Sequence, residues 1–64
     1  MKLIRLKKVS ELTGLGRSSI YNYMNEDRFP KSVKLGPRLV AWVEEEVQAW
    51  IAERIGERDA PARI

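Results

Sequence analysis

Sixty-four residues with no cysteine and no histidine make one small domain, and they exclude disulfides and the common zinc sites as its staples. No apolar run approaches the ~20 residues that cross a bilayer, and the start Met1-Lys2-Leu3-Ile4-Arg5 is too short and too charged for a secretory signal, so a cytoplasmic location without a membrane partner is expected. The net charge of +3 hides an asymmetry: residues 1–40 hold nine Lys/Arg against three acids, and residues 41–64 hold three Arg against six acids, a basic face with an acidic back that suits a polyanion partner.

Leu3 to Leu6 reads as a short strand or an N-terminal arm. A first helix is expected from about Lys7 to Thr13, with Val9 and Leu12 turned inward and Gly14 as its stop. A second is expected from Arg17 to about Asn25. At about 100° per residue, Ile20, Tyr23 and Met24 share one arc, and Arg17, Ser18, Tyr21, Asn22 and Asn25 fill the opposite one. Glu26-Asp27-Arg28 is a polar turn, and Pro30 forces an extended path on Phe29. Ser32–Leu35 and Arg38–Trp42 read as two strands joined at Gly36-Pro37, with Val33, Leu35, Val40 and Trp42 on one face and Lys34 on the other.

A third helix is expected from about Glu44 to Ile55. Val43, Val47, Trp50, Ile51 and Ile55 form its apolar stripe, and Glu44, Glu45 and Glu46 complement the positive end of its dipole. Gly56 is expected to end it, giving a folded domain over residues 1–56 and a flexible tail over 57–64. The expected core is Val9, Leu12, Leu15, Ile20, Met24, Val33, Leu35, Val40, Trp42, Val47, Trp50 and Ile51. Helix, turn, helix, hairpin, helix is the layout of a winged helix-turn-helix domain, mainly α with a small β-hairpin.

In such a fold the second helix lies in the major groove with its N-terminal residues at the base edges. Arg17, Ser18, Tyr21 and Asn22 are then the expected readers. Arg forks onto guanine and Asn pairs with adenine, while Ser and Tyr hydroxyls more often position phosphates. Lys31, Lys34 and Arg38 would form a basic wing on the backbone or in the minor groove. Lys7 and Lys8 put cations at the unfavourable end of the first helix's dipole, which a phosphate would relieve. The plain alternative for each of these residues is an ordinary solvated side chain; the turn, the helix and the hairpin lying side by side favour contact with DNA. Tyr23, Trp42 and Trp50 are expected in the core rather than as base-stacking platforms. With no histidine, cysteine, phosphate-cradling glycine loop or carboxylate pair, neither an enzyme nor a cofactor or metal site is expected.

Five separated blocks carry a family resemblance: Arg5-Leu6-Lys7-Lys8-Val9; Thr13-Gly14-Leu15-Gly16-Arg17-Ser18-Ser19-Ile20-Tyr21; Phe29-Pro30-Lys31; Val33-Lys34-Leu35-Gly36 with Arg38; and Trp42 with Glu46-Val47-Gln48-Ala49-Trp50-Ile51. In this order they resemble the AlpA-type phage and prophage regulatory proteins over roughly residues 4–56. The resemblance implies a winged-helix DNA-binding domain of the MerR/excisionase type, acting on transcription from a prophage or other mobile element, often on an integrase gene. Two positions depart from the pattern. Gly16 stands where a small polar residue is usual, and Val43 provides no capping side chain for the third helix.

The leading expectation is a sequence-specific binder of double-stranded DNA that regulates transcription, with integrase or RNA polymerase as further partners and a second copy of itself on repeated half-sites. An excisionase-like factor that bends an attachment site would use the same contacts. A protein-interaction module, such as an anti-repressor working through the acidic third helix, would not need Arg17, Lys34 and Arg38 on one face.

Overall fold

In a computed structural model, which describes residues 1–60, the order is β1 (Leu3–Ile4), α1 (Leu6–Thr13), α2 (Arg17–Asn25), β2 (Val33–Gly36), β3 (Leu39–Val43) and α3 (Glu44–Asp59). The winged helix-turn-helix expected from the sequence is the observed fold. The arm is a strand: β1 and β2 both pair antiparallel with β3, which is the middle of a three-stranded sheet. Ile4 lies opposite Trp42, and the amide of Glu44 donates to the carbonyl of Lys2 at 2.8 Å, so the chain's start is tied to the end of β3.

The core cluster is Ile4, Val9, Ile20, Phe29, Trp42 and Val47, one or more residues from every helix and from β1 and β3. Among the described residues no polar or charged side chain is buried. Leu12, Leu15, Met24, Val40, Trp50 and Ile51 pack around this cluster half-buried. Trp50 meets Phe29 edge-on at 4.9 Å between ring centres, and its indole N–H donates to the carbonyl of Arg28 at 2.7 Å, which pins the 26–32 segment to α3.

The hairpin departs from expectation by one residue, with a large effect. The turn is Pro37-Arg38 rather than Gly36-Pro37, and a bulge sits between Lys34 and Gly36. Val33 is therefore opposite Ala41, and Lys34 is opposite Val40. Side chains directly opposite each other share a face, and a slip of one residue exchanges the faces. Lys34 thus lies on the Val40 and Trp42 face, the face that α1 and α2 cover, while Val33 and Leu35 are exposed instead of buried. Ala41 and Val43 take their place inside, alongside Ile4 and Phe29, which the expected core also lacked.

The third helix is longer than expected. Gly56 does not stop it; the helix runs on to Asp59. A glycine inside a helix costs about 1 kcal/mol relative to alanine, and the Arg54–Glu57 ion pair that brackets Gly56 at 2.7 Å offsets part of that. Ile55, at the end of the apolar stripe, lies beyond the core and is exposed. Residues 57–59 of the expected tail are helical, and 61–64 lie outside the described residues.

The turn between α1 and α2 depends on Gly14, whose φ of 75° is in the left-handed region and whose amide bonds the carbonyl of Ser10. Gly16, the N-cap of α2, has an ordinary extended backbone and open space around its α-carbon. The two glycines should therefore respond oppositely. Gly14→Ala is expected to cost about 1 kcal/mol, a fall in melting temperature of roughly 4–8 °C for a domain this size. Gly16→Ser should leave it unchanged or raise it slightly by adding a cap. Thermal unfolding followed by circular dichroism checks both.

Candidate nucleic-acid interface

Side chains of α1 hold the start of α2 in place. The hydroxyl of Thr13 donates to the carbonyl of Val9 at 2.8 Å and accepts the amide of Leu15 at 3.2 Å. The hydroxyl of Ser10 donates to the carbonyl of Leu15. Three bonds thus fix the Gly14-Leu15-Gly16 turn from both sides, and Leu15 tucks against the core. No role for the Ser10 or Thr13 hydroxyl is expected from the sequence reading. A signal for Thr13 is present there, because a threonine two residues before a turn amide is a local capping arrangement.

Arg17, Ser18 and Asn22 are exposed on α2, as expected. Tyr21 is not a free outward residue. It is half-buried, its ring meeting Trp42 edge-on at 6.3 Å, and the Arg17 guanidinium lies 5.8 Å from its ring centre. Arg17 therefore rests on a tyrosine that rests on the central core tryptophan. That gives Tyr21 a positioning role and leaves the Arg17 guanidinium with an exposed fork.

Neither α1 nor α2 has a side-chain cap or an acid in its first turn. Arg5, Lys7 and Lys8 crowd the start of α1, and Arg17 opens α2. Lys7 and Arg17 line one shallow groove of about 490 Å³ between the two helix starts, together with Leu6, Ser10 and Glu11. Two uncapped, cation-bearing helix starts side by side favour anions through their free amides, their dipoles and their side-chain charge together. The α3 start is the opposite case, with Glu44, Glu45 and Glu46 in its first turn.

Lys31 is not part of the wing. It lies before β2, and its ammonium bonds the carbonyl of Met24 at 2.6 Å and the Asp27 carboxylate at 2.9 Å. It closes the end of α2, where Asp27 takes the left-handed conformation at φ 58° while its amide and that of Arg28 bond the carbonyls of Met24 and Tyr23. The hydrogen bond from Lys31, and then its charge, hold the Asp27 carboxyl below the usual carboxylate range. This contact therefore helps the folded state above the ordinary carboxylate pKa and is lost as pH falls through the lowered one. Lys34 and Arg38 remain on the hairpin, exposed, Arg38 at the second position of the turn.

The cations divide by partner. Among the described residues, Arg28, Lys31, Arg54 and Arg58 pair with carboxylates. Lys2, Arg5, Lys7, Lys8, Arg17, Lys34 and Arg38 do not. Among the described residues, every unpaired cation thus precedes β3. The larger groove, about 830 Å³, is elsewhere, between the 27–33 segment and α3, and its walls carry both signs.

Known proteins with similar sequences add to this geometry. The family described as "Prophage CP4-57 regulatory protein (AlpA)" matches residues 2–55. A protein of Enterobacteria phage P4, "Uncharacterized protein ORF88", is 44% identical over 57 residues, which cover 89% of this chain and 65% of the phage protein. "DNA-binding transcriptional activator AlpA" of Escherichia coli K12 is 33% identical over 60 residues, covering 84% of this chain and 86% of that one.

The hydroxyl of Thr13 serves two bonds, so Thr13→Val, which keeps the shape, should lower stability by about 1–2 kcal/mol. The same substitution should also raise hydrogen-exchange rates at the Leu15 amide and through the first turn of α2. Unchanged exchange there would mean that the glycines and the Ser10 hydroxyl hold the turn without Thr13.

Proposed function

Because this chain belongs to the AlpA family of prophage regulatory proteins, we propose that it binds specific sequences in double-stranded DNA and regulates transcription, with α2 in the major groove and the β2–β3 wing against the adjoining backbone or minor groove. The observation that carries this reading is the set of seven cations that, among the described residues, have no acidic partner, all in the part of the chain that holds α1, α2 and the hairpin. Cations that serve only solubility have no reason to be segregated in this way from the acids, which gather on α3. The face of the sheet that bears Lys34 is also the face on which α2 packs, so a duplex lying along α2 meets the wing from the same side.

The roles divide by chemistry. Arg17, propped on Tyr21, reads a base, its fork matched to the two acceptors of guanine. Asn22 is the second reader, and Ser18 holds a phosphate. Lys34, Arg38, Lys7 and Lys8 neutralise phosphates on either side. Lys31, committed to the end of α2, contributes stability more than affinity. One module of this size buries only ~600–1,000 Å² of its own surface on DNA, so specific binding uses two or more copies on repeated half-sites.

Selection of bound sequences from a random duplex pool at near-physiological salt tests the reading directly, and an enriched motif is the expected result. Arg17→Ala should cost about 1–3 kcal/mol on that motif and blur it at one position. Lys34→Ala should weaken all sequences alike and reduce the slope of log K against log salt by about 0.9. Lys31→Ala should lower the melting temperature slightly and leave affinity nearly unchanged. Equal losses on motif and random DNA for both Arg17→Ala and Lys34→Ala would overturn these roles. The motif's place in the genome, at a promoter or at an attachment site, separates a transcription regulator from an excisionase-like factor.

A further inference from the structure

Four of the large apolar side chains open to solvent lie on the sheet: Leu3 at 42%, Val33 at 38%, Leu35 at 47% and Leu39 at 38% exposure. The register puts three of them on one face. Leu3 is opposite Val43, Val33 is opposite Ala41, and Leu39, Ala41 and Val43 alternate along β3, so all point away from Lys34, Val40 and Trp42. Leu35 is the extra residue of the bulge, next to Gly36, which lies opposite Leu39. Since α1 and α2 pack on the Trp42 side, this patch is on the face turned away from α2. Single exposed leucines are ordinary, whereas a group of them on one face marks an interaction site.

A groove opens beside the patch on the same face of the sheet. It holds about 830 Å³ between the 27–33 segment and α3, and its lining includes Pro30, Val33, Val43, Ala49 and Trp50. Val33 thus belongs to the patch and to the groove. Lys31 pairs with Asp27, Arg28 with Glu26, and Arg54 with Glu53 and Glu57. Among the described residues, Glu46 is then the one charged residue of the lining without an ion pair. A free carboxylate on the wall repels nucleic acid and anionic lipid, and it suits an apolar ridge accompanied by cations.

The hairpin is such a ridge. From Arg28 to Val43 the chain carries Arg28, Lys31, Lys34 and Arg38 and no acid. Two hairpins brought ridge to ridge would set like charges against each other. A ridge seated in the groove sets them near Glu46 instead. Ridge and groove lie side by side on one face, so a two-fold axis in the plane of that face seats each copy's hairpin in the other's groove. Such a contact is satisfied on both sides at once and closes on itself.

We infer that two copies of this chain pack back to back through this face, Leu35 and Leu39 of each entering the groove beside Ala49 and Trp50 of the other. This rests on the DNA-binding reading above and specifies where the repeated half-sites lie. Because α2 is on the opposite side of each sheet, the two α2 helices of the pair point outward in opposite directions. They do not meet adjacent half-sites on one stretch of duplex. They hold two segments of DNA, and the pair is a bridge between them.

Sedimentation equilibrium over a concentration series reads the contact, with circular dichroism confirming that each variant is folded. Wild type should reach a dimer and no larger species. Leu39→Lys on the ridge and Ala49→Glu on the groove, both at exposed positions, should each stay monomeric. An equimolar mixture of the two variants should associate again, because one intact ridge meets one intact groove and the two introduced charges attract. A mixture no better than either variant alone, growth beyond the dimer, or a wild type that stays monomeric throughout overturns the interface. Beads carrying a duplex with the selected motif then read the bridge. Wild type should retain a second, labelled duplex on the beads, and Ala49→Glu should coat the beads nearly as well but lose the labelled duplex. A wild type that dimerises and coats the beads yet retains no second duplex overturns the outward arrangement. If wild type dimerises but binds no duplex, the bridge falls with the DNA reading while the contact between copies stands. If it binds duplex only as a monomer, the DNA reading stands and the bridge falls.

Discussion

Trp42 is the side chain on which the rest of the structure depends. It is fully buried in the middle strand of the sheet, opposite Ile4, in one cluster with Val9 of α1, Ile20 of α2 and Val47 of α3. A domain of this size buries only about 60% of the surface its unfolded chain exposes, and its total stability is roughly 3–10 kcal/mol. Truncating a buried tryptophan costs about 3–5 kcal/mol. One residue therefore accounts for a large share of the difference between folded and unfolded chain. It also sets the interface, because its edge meets Tyr21, Tyr21 lies under Arg17, and its own strand continues outward into the wing. Core packing and the placement of both basic elements are the same event.

Electrostatics completes that arrangement without entering the core. The paired cations occupy the end of α2 and the length of α3, where they hold local geometry at exposed positions and add little to overall stability. The unpaired ones repel each other across α1, α2 and the hairpin, and four of them, Arg5, Lys7, Lys8 and Arg17, sit at helix starts whose dipoles oppose them. Such an arrangement costs the free protein stability, and an anion returns it. The same charges that weaken the isolated fold make its association with a polyanion steep in salt.

Much of this is legible in the sequence, and the exceptions have physical causes. The Arg17–Asn25 helix and the start of α3 follow from glycines, periodicity and an acidic first turn, which are local signals. The hairpin register is not local. Moving the turn from Gly36-Pro37 to Pro37-Arg38 and adding a bulge exchanges the faces of Val33 and Lys34, and periodicity alone does not contain that choice. Tyr21 falls on the outward arc because a helical wheel treats a side chain as one point, whereas a tyrosine is long enough to touch Trp42 and Arg17 at once. Lys31 resembles a wing cation by its place in the chain, but the left-handed Asp27 turns the backbone so that its ammonium meets the end of α2. Gly56 has the composition of a stop but not the backbone of one, since the left-handed conformation that ends a helix occurs at Gly14 and not there.

The junction of β3 and α3 has a mechanical consequence. Val43 ends the strand and Glu44 begins the helix, with no loop between them. A strand that enters a helix without a loop leaves no flexible residue between them, so β3 sets the direction in which α3 leaves the sheet. From that junction the sixteen residues of α3 extend about 24 Å at 1.5 Å per residue. The strand thereby sets where the far end of α3 lies, beyond the core, with Ile55 in solvent.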